Sequence, residues 1–511
     1  MGAPFNSIFS WLIKKRVHQI ELFKKHPDEV QRELLSNLIS QSSSTEFGKK
    51  HRFDSLTAVS DFQQNVPLQH YDDVFPYVER LKNGEQNLLW PGDILWFAKS
   101  SGTTNQRSKL IPVSKESLQE CHYKGGKDLL GIYYNNHPDT RLFTGKHLIV
   151  GGSSEINYLN QKSYFGDLSA IIVKNLPWWC EWRRTPSRET ALLSQWEEKL
   201  SRMAKETVNE DVRILAGVPS WTLVLLKRVL EENGTNNIFD IWPNLELYMH
   251  GGVNFGPYKQ QFEQLLPRAE MNYVQTYNAS EGFFGIQDLI KSEDMLLMLD
   301  YGVFYEFIPK EEWQKETPET ILLNEVELNK PYELVISTNA GLWRYRIGDV
   351  ISFTNKQPFR FKVVGRTAQY INVFGEELMI DNVEKALTMT CETLHCSVKD
   401  FTVCPIFMTT DKSGGHEWLI EFSEPPASLQ QFSEHLDVNL QKVNSDYAAK
   451  RSNDLSLQKP TVKVMKNGTF YAWLKKNNKL GGQNKIPRLR NDRSFAEEIL
   501  ASSPAVDHLR N

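Results

Sequence analysis

Cysteine is scarce in this sequence. Five thiols (Cys121, Cys180, Cys391, Cys396 and Cys404) occur in 511 residues, an odd number with no C-x-x-C spacing. That excludes a disulfide framework and a paired-cysteine zinc site, and fits thiols kept reduced in a cytoplasm. Charge of one sign is equally lacking in blocks: 59 basic residues face 63 acidic ones for a net charge of −4. Without a basic face there is no electrostatic footprint for nucleic acid or an anionic membrane. The apolar N-terminus, "MGAPFNSIFSWLIKKRVHQ", is too short to span a bilayer. Its basic residues follow the apolar ones, and it lacks a small-residue cleavage site. It reads as an amphipathic first helix. Gly2 raises the question of myristoylation, but Asn6 stands where that signal needs Ser or Thr. No internal repeat, low-complexity linker or G-K-[ST] triplet occurs, which excludes a Walker-type phosphate loop.

What is present is the makeup of a large soluble enzyme acting on small molecules. With 511 residues and 40% hydrophobic composition, two or more packing units are expected. In "HPDEVQRELLSNLISQ", Val30, Leu34 and Leu38 recur every four residues, predicting a helix that buries one face, with Asp28 able to cap it. Helical patterns then alternate with strand-like runs, "KHLIVGG", "VRILAGVPS", "LELYMHGG" and "MNYVQTYNASEGFFGIQ", which predicts an α/β layered domain. From about 300 to 365 strands follow one another with little helix, predicting a small β subdomain or barrel. After Arg366, "YINVFGEELMIDNVEKALTMTCETL" reads as a short strand, a turn at Gly375 and a helix carrying Val383, Ala386 and Leu387. A separate C-terminal α+β domain joined by a short hinge near 366–372 is expected.

Five stretches carry candidate chemistry. "SSGTT" at 100–104 places small hydroxyl residues around one glycine, so N–H and O–H groups can converge on an anion, with Lys109 adding charge; alone it equally describes a surface turn. "QTYNASEGFFG" at 275–285 offers an aromatic ring for a base, small polar groups for a phosphate, and Glu281 as a hard oxygen ligand, or simply a strand end with a cap. In "LWRYRIGDVISF", Asp349 after a glycine at a strand end can accept from vicinal ribose hydroxyls, or pair with Arg344 or Arg346 at a surface turn. Arg366 in "FKVVGR" stands at the expected joint, within reach of a phosphate or ribose or as a plain hinge arginine. In "NKLGGQNKIPRLRND", two glycines precede Lys485, which Pro487 would help present on a loop tip; a solvated basic tail is the alternative.

The order of these parts resembles the adenylate-forming superfamily of acyl-activating ligases. More closely, it resembles the Gretchen Hagen (auxin-responsive promoter) family of acyl acid amido synthetases, as a bacterial-type member shorter than the plant proteins. Continuous segments such as "TEFGKKHRFDSL", "VPLQHYDDVFPYVERLKNGEQNLLWPGDILWFAKSSGTT" and "NEVELNKPYELVISTNAGLWRYRIGDV" extend the likeness over nearly the whole chain.

The resemblance implies an α/β fold with a large adenylating domain (residues 1–365: α/β subdomains plus a small β-barrel-like subdomain) and a small mobile α+β domain (366–511). It implies ATP and Mg²⁺ as cofactors, with Ser100, Ser101, Thr103 and Thr104 on the phosphates and Tyr277 along the adenine. Ala279 and Ser280 would touch the nucleotide, with Glu281 on Mg²⁺, Asp349 on the ribose, Arg366 at the hinge and Lys485 entering the site as the catalytic lysine. "HGGV" at 250–253 would border the adenine. The implied reaction activates a small carboxylic acid as its adenylate and transfers the acyl group to an amine, usually an amino acid. An acyl-CoA ligase and a nucleotide-binding protein without catalysis are the other readings of the same parts. For the acyl pocket the segment 153–182 is a candidate, and buried core is the plainer reading of its aromatic and apolar residues.

Overall fold

The computed structural model describes residues 16–100, 109–151, 157–158, 163–176, 181–193, 196–252, 255–313, 315–367, 370–371, 376, 378–407, 414–444, 447–448, 451, 457–477, 479, 486–490 and 492–503. The chain packs as two units, 1–252 with 269–363, and 253–268 with 364–511.

The first unit is built on an eleven-stranded sheet. Its parallel half runs in the order Arg184–Thr185, Lys146–Val150, Val212–Gly217, Leu247–Gly251 and Asn272–Ala279. These are the strand-like runs of the sequence, and helices Pro219–Asn233 and Lys259–Leu265 fall between them in chain order, as crossovers between parallel strands require. The sheet then turns antiparallel through Gly282–Ile286 and Met295–Leu297 and continues into Phe359–Arg366, Tyr345–Lys356, Pro331–Thr338 and Val303–Pro309. The strand-rich region from 300 to 365 therefore does not close as a barrel of its own among the described residues. Met295–Leu297 pairs with Gly282–Ile286 on one side and Phe359–Arg366 on the other, so main-chain hydrogen bonding carries the region into the main sheet. A second sheet of four strands holds the hairpin Trp96–Ser100 with Lys109–Val113.

Helix Pro27–Ser42 forms as its spacing predicts, but its buried stripe is Gln31, Leu35, Leu38, Ile39 and Ser42, with Val30 and Leu34 only partly covered. Asp28 does not cap it. The N-cap is His26, and Pro27 opens the helix, so Asp28 and Glu29 lie in the first turn, where their charge favours the positive end of the helix dipole. Within the core, Trp343 is fully buried, with Phe53 at 4.7 Å in edge geometry and Phe47 stacked at 6.1 Å, and its indole N–H donates to the Leu89 carbonyl at 3.0 Å.

In the second unit, helices Ile380–Leu394 and Leu429–Val443 share a core with strands Ser397–Ile406, Gly415–Glu424 and Thr461–Val464 through Val383, Leu387, Trp418, Phe432, Leu436 and Leu440. Helix Ile380–Leu394 stops at His395, whose φ of +49° turns the chain left-handed while Cys396 N–H donates back to the Cys391 carbonyl at 3.1 Å. The segment 253–268, which lies between two strands of the first unit in sequence, packs here, so chain distance alone does not define this unit. No helix among the described residues is long and apolar enough to cross a membrane.

Candidate functional site

In an open α/β sheet, ligands bind beyond the carboxyl ends of the parallel strands. Those ends here are Val150, Gly217, Gly251 and Ala279, brought level by a register that pairs Val150 with Gly217, Gly217 with His250, and Gly251 with Thr276. Two of them are glycine for a steric reason. A Cβ on Gly251 would lie 2.5 Å from the Thr276 carbonyl oxygen, and one on Gly217 would lie 2.8 Å from that of Val150. His250, beside this edge, is buried, and burial pushes its imidazole down to about 3, so the ring is neutral at ordinary pH.

Strand Asn272–Ala279 and strand Gly282–Ile286 form a hairpin whose connection is Ser280 and Glu281 alone, with Ala279 opposite Gly282. The turn thus presents the candidate serine and carboxylate at the carboxyl end of the parallel half. Ser280 is 3% exposed, and its hydroxyl has no hydrogen-bond partner among the described residues. A buried hydroxyl left without a partner costs about 1–3 kcal/mol, so the site has an opening for a polar ligand atom. Glu281 is partly buried.

Tyr277, on the same strand, donates its hydroxyl to Asp349 Oδ2, and both side chains are buried. A bulge delivers Asp349 to this place. Between the pairs Glu333–Val350 and Val335–Arg346 one residue faces three, Ile347, Gly348 and Asp349, and Gly348 takes a φ of +82° that a side chain would resist. The bulge re-aims Asp349, which joins the motifs at 275–285 and 342–353 in one place.

The surface pairing of Asp349 with Arg344 or Arg346 does not form. Arg344, at a φ of +43°, donates to Glu306 Oε1 and Oε2 at 2.9 and 3.0 Å, to the Gln63 and Val66 carbonyls at 2.7 and 2.8 Å and to Thr320 Oγ1 at 2.8 Å. Arg346 forks onto Glu333 at 3.0 and 2.6 Å. Both arginines are anchored on the strands around Asp349.

Ser100 ends one strand of the hairpin that the phosphate-loop candidate connects, opposite Lys109. Ser101, Thr103, Thr104 and Lys485 lie outside the described residues. The Lys109 ammonium sits 5.6 Å over the Tyr71 ring. Arg366 ends strand Phe359–Arg366 and falls in the second unit.

One polar pair escapes sequence reasoning. Residues 117–123 wind as a π-helix, a form frequent at functional sites. From it His122 hydrogen-bonds Asn278 Oδ1 through Nδ1 at 3.0 Å, with its pKa pushed down to about 4 by burial, so the neutral ring donates. Nothing in "QECHYKGG" marks this histidine, because its partner lies 156 residues away.

Family models match the chain in three consecutive pieces: the GH3 family N-terminal domain over residues 16–271, the central domain over 296–366 and the C-terminal domain over 381–494. The chain belongs to the GH3 family. Among the relatives of this GH3 protein is an Arabidopsis thaliana indole-3-acetic acid-amido synthetase, GH3.3, 24% identical over 89% of this chain and 88% of its own length. Another from the same plant is the 4-substituted benzoates-glutamate ligase GH3.12, 23% identical over 88% and 90%. Among solved structures, the GH3.15 acyl acid amido synthetase superposes with a TM-score of 0.78 at 17% identity, covering 96% of each chain. A 2-hydroxyisobutyryl-CoA ligase in a postadenylation state matches at 0.58 and 12% identity over 92% of this chain and 91% of its own. The GH3 protein thus has the fold of the adenylate-forming enzymes.

Proposed function

We propose that this protein is an ATP-dependent acyl acid amido synthetase: it adenylates a small carboxylic acid, releasing pyrophosphate, and transfers the acyl group to an amine, an amino acid in preference, releasing AMP. Membership of a family whose relatives are named as amido synthetases and an acid–glutamate ligase carries the reading. Three features support the nucleotide's place: the glycine-lined strand ends, the Ser280 hydroxyl without a partner among the described residues, and the buried Tyr277–Asp349 pair.

A carboxylate is a poor electrophile, so amide formation at neutral pH needs its oxygen converted to a leaving group. Ser100, Ser101, Thr103 and Thr104 hold the ATP phosphates in this reading, and the Ser280 hydroxyl and Ala279 edge contact the nucleotide. Asp349 accepts from the ribose hydroxyls. Receiving the Tyr277 O–H, the same carboxylate holds the phenol ring in place beside the base. Glu281 supplies a hard oxygen donor suited to Mg²⁺, which when bound neutralises phosphate charge.

Lys485 brings a compact positive charge to the α-phosphate as negative charge develops there, and a group of this kind is worth about 3 kcal/mol of transition-state stabilisation. The second unit carries Lys485 and Arg366, and its rotation about the expected hinge withdraws the lysine to admit the amine. We place the protein in the cytoplasm, where thiols such as those of Cys121, Cys391, Cys396 and Cys404, free in the structure, persist.

The acceptor decides between this reading and a thioester-forming ligase. Mass spectrometry of products formed with ATP, a turned-over acid and either amino acids or coenzyme A gives an N-acyl amino acid on the proposal. A coenzyme A thioester in its place contradicts it.

A further inference from the structure

The hairpin that carries Ser280 and Glu281 is held from behind by two neighbouring residues of the π-helix Ser117–Tyr123. His122 Nδ1 donates to Asn278 Oδ1 at 3.0 Å. The Cys121 sulfur meets both main-chain groups of Phe283, accepting from its N–H at 3.1 Å and donating to its carbonyl at 3.8 Å. Asn278 and Phe283 are cross-strand partners one pair back from the turn, behind Ala279 and Gly282. Both strands of the hairpin are therefore gripped from a single point.

The grip falls where the hairpin is least regular. Phe283 and Gly285 face the consecutive residues Asn278 and Tyr277, so Phe284 is the extra residue of a bulge, and a bulge interrupts the ladder that would otherwise set the direction of the turn. Cys121 and His122 supply polar bonds in a dry place, being 1% and 5% exposed. Burial pushes the thiol up to about 12 and the imidazole down to about 4, so both groups are neutral and keep the S–H and N–H that they donate. Gly125, just beyond the π-helix, lets the Phe283 ring come close: a Cβ on it would lie 2.6 Å from that ring. A π-helical turn is a costly way to wind a chain unless it places particular side chains, and here it places two adjacent ones on two different strands.

We propose that Cys121 and His122 are positioning residues for nucleotide binding, fixing the hairpin so that the Ser280 hydroxyl is aimed at the ligand. Ser280 is buried and its hydroxyl has no hydrogen-bond partner among the described residues, so the backbone of the turn decides where that hydroxyl stands. A group held in place beforehand adds no ordering cost when the ligand binds, and a loosened turn restores that cost. The proposal rests on the reading of Ser280 as a nucleotide contact.

The test turns on one methylene group. His122→Asn sets an amide N–H where the Nδ1–H stands, whereas His122→Gln carries it one bond farther, to the place of Nε2. Isothermal titration with ATP reads affinity for the parent and both variants, each with and without Ser280→Ala, after circular dichroism has verified folding. Hydrogen–deuterium exchange of the amides of residues 280–283, measured without ATP, reads the turn itself. His122→Gln should raise the ATP Kd about tenfold and speed exchange at the turn at least about tenfold, while His122→Asn stays within about threefold of the parent in both. Cys121→Ser, which keeps a donor and an acceptor, should also stay within about threefold, and Cys121→Ala should behave as His122→Gln does.

In the Ser280→Ala background His122→Gln should change the ATP Kd less than about twofold, because the group it aims is gone. Equal Kd values for the two His122 variants, or the same cost with and without the Ser280 hydroxyl, overturn the proposal and leave the pair a stability contact. An ATP Kd unchanged by Ser280→Ala also overturns it, and the failure then lies in the nucleotide reading if exchange at the turn still separates His122→Gln from His122→Asn. Exchange that does not separate them overturns the grip. The parent alone tests the grip as well: its Phe283 amide should exchange at least about 100-fold more slowly than in the urea-unfolded chain, and an unprotected amide overturns the Cys121 contact.

Discussion

Replacing Asp349 by alanine probes the most completely defined contact of the candidate site. Asp349 is 4% exposed, receives the Tyr277 hydroxyl and stands on a bulge that exists to place it. If it accepts two ribose hydroxyls, each hydrogen bond to a charged acceptor is worth about 1.5 kcal/mol at the low end, or about 3 kcal/mol together. At 1.4 kcal/mol per tenfold, the ATP Kd should rise on the order of 100-fold. The substitution also strips the buried Tyr277 hydroxyl of its acceptor, costing about 1–3 kcal/mol of stability, so affinity must be measured where the variant is folded. Tyr277→Phe is the control. It removes one donor and keeps both the carboxylate and the ring, which packs on Phe284 at 4.9 Å, so its ATP Kd should rise less than about tenfold. Isothermal titration with ATP at 20 °C, with circular dichroism to verify folding, gives both values. An Asp349→Ala Kd within about twofold of the parent would refute the ribose assignment, and a larger effect from Tyr277→Phe than from Asp349→Ala would refute the order of causes.

Arg344→Leu leaves Glu306, fully buried, with its charge unpaired, and should lower stability by about 3–5 kcal/mol in urea unfolding; a loss under about 1 kcal/mol would contradict the pairing. Gly251→Ala puts a methyl group 2.5 Å from the Thr276 carbonyl oxygen and should weaken ATP binding and cost about 1–3 kcal/mol, whereas a neutral effect would mean the strand end is not close-packed. Acid should destabilise the protein through His122 and His250, whose native pKa values lie at about 4 and about 3, below the ordinary 6.5. Between pH 6.5 and about 4 the unfolded chain takes up protons that the native rings refuse. The stabilisation present above pH 6.5 therefore falls with pH by up to about 1.4 kcal/mol per unit for each ring. His250→Gln should flatten the pH dependence of the urea midpoint, and an unchanged slope would contradict the burial.

Much of the parallel half of the sheet is readable from local pattern, because "KHLIVGG", "VRILAGVPS" and "LELYMHGG" are apolar runs of strand length that end in glycine or serine where strand ends approach one another. The course of the region from 300 to 365 is not. Its strands are readable one by one, but whether they close on themselves or join the main sheet depends on Met295–Leu297, three residues whose pairing on both sides no local pattern encodes. In the site, Tyr277 and Asp349 each stand in a recognisable stretch, yet their hydrogen bond depends on a bulge of Ile347, Gly348 and Asp349, of which only the glycine leaves a trace in the sequence. His122 is illegible for a related reason. A buried histidine looks ordinary until a distant partner, Asn278, is brought to it by the fold.

Pyrophosphate release from the purified protein with ATP, Mg²⁺ and a panel of aryl and aliphatic carboxylic acids, each with and without a mixture of amino acids, separates an amido synthetase from a protein that only binds nucleotide. At least one acid should stimulate release, amino acids should raise AMP turnover further, and Lys485→Ala should lose most of the release while still binding ATP. Release that no acid stimulates, from a protein that binds ATP, would contradict the amido synthetase reading.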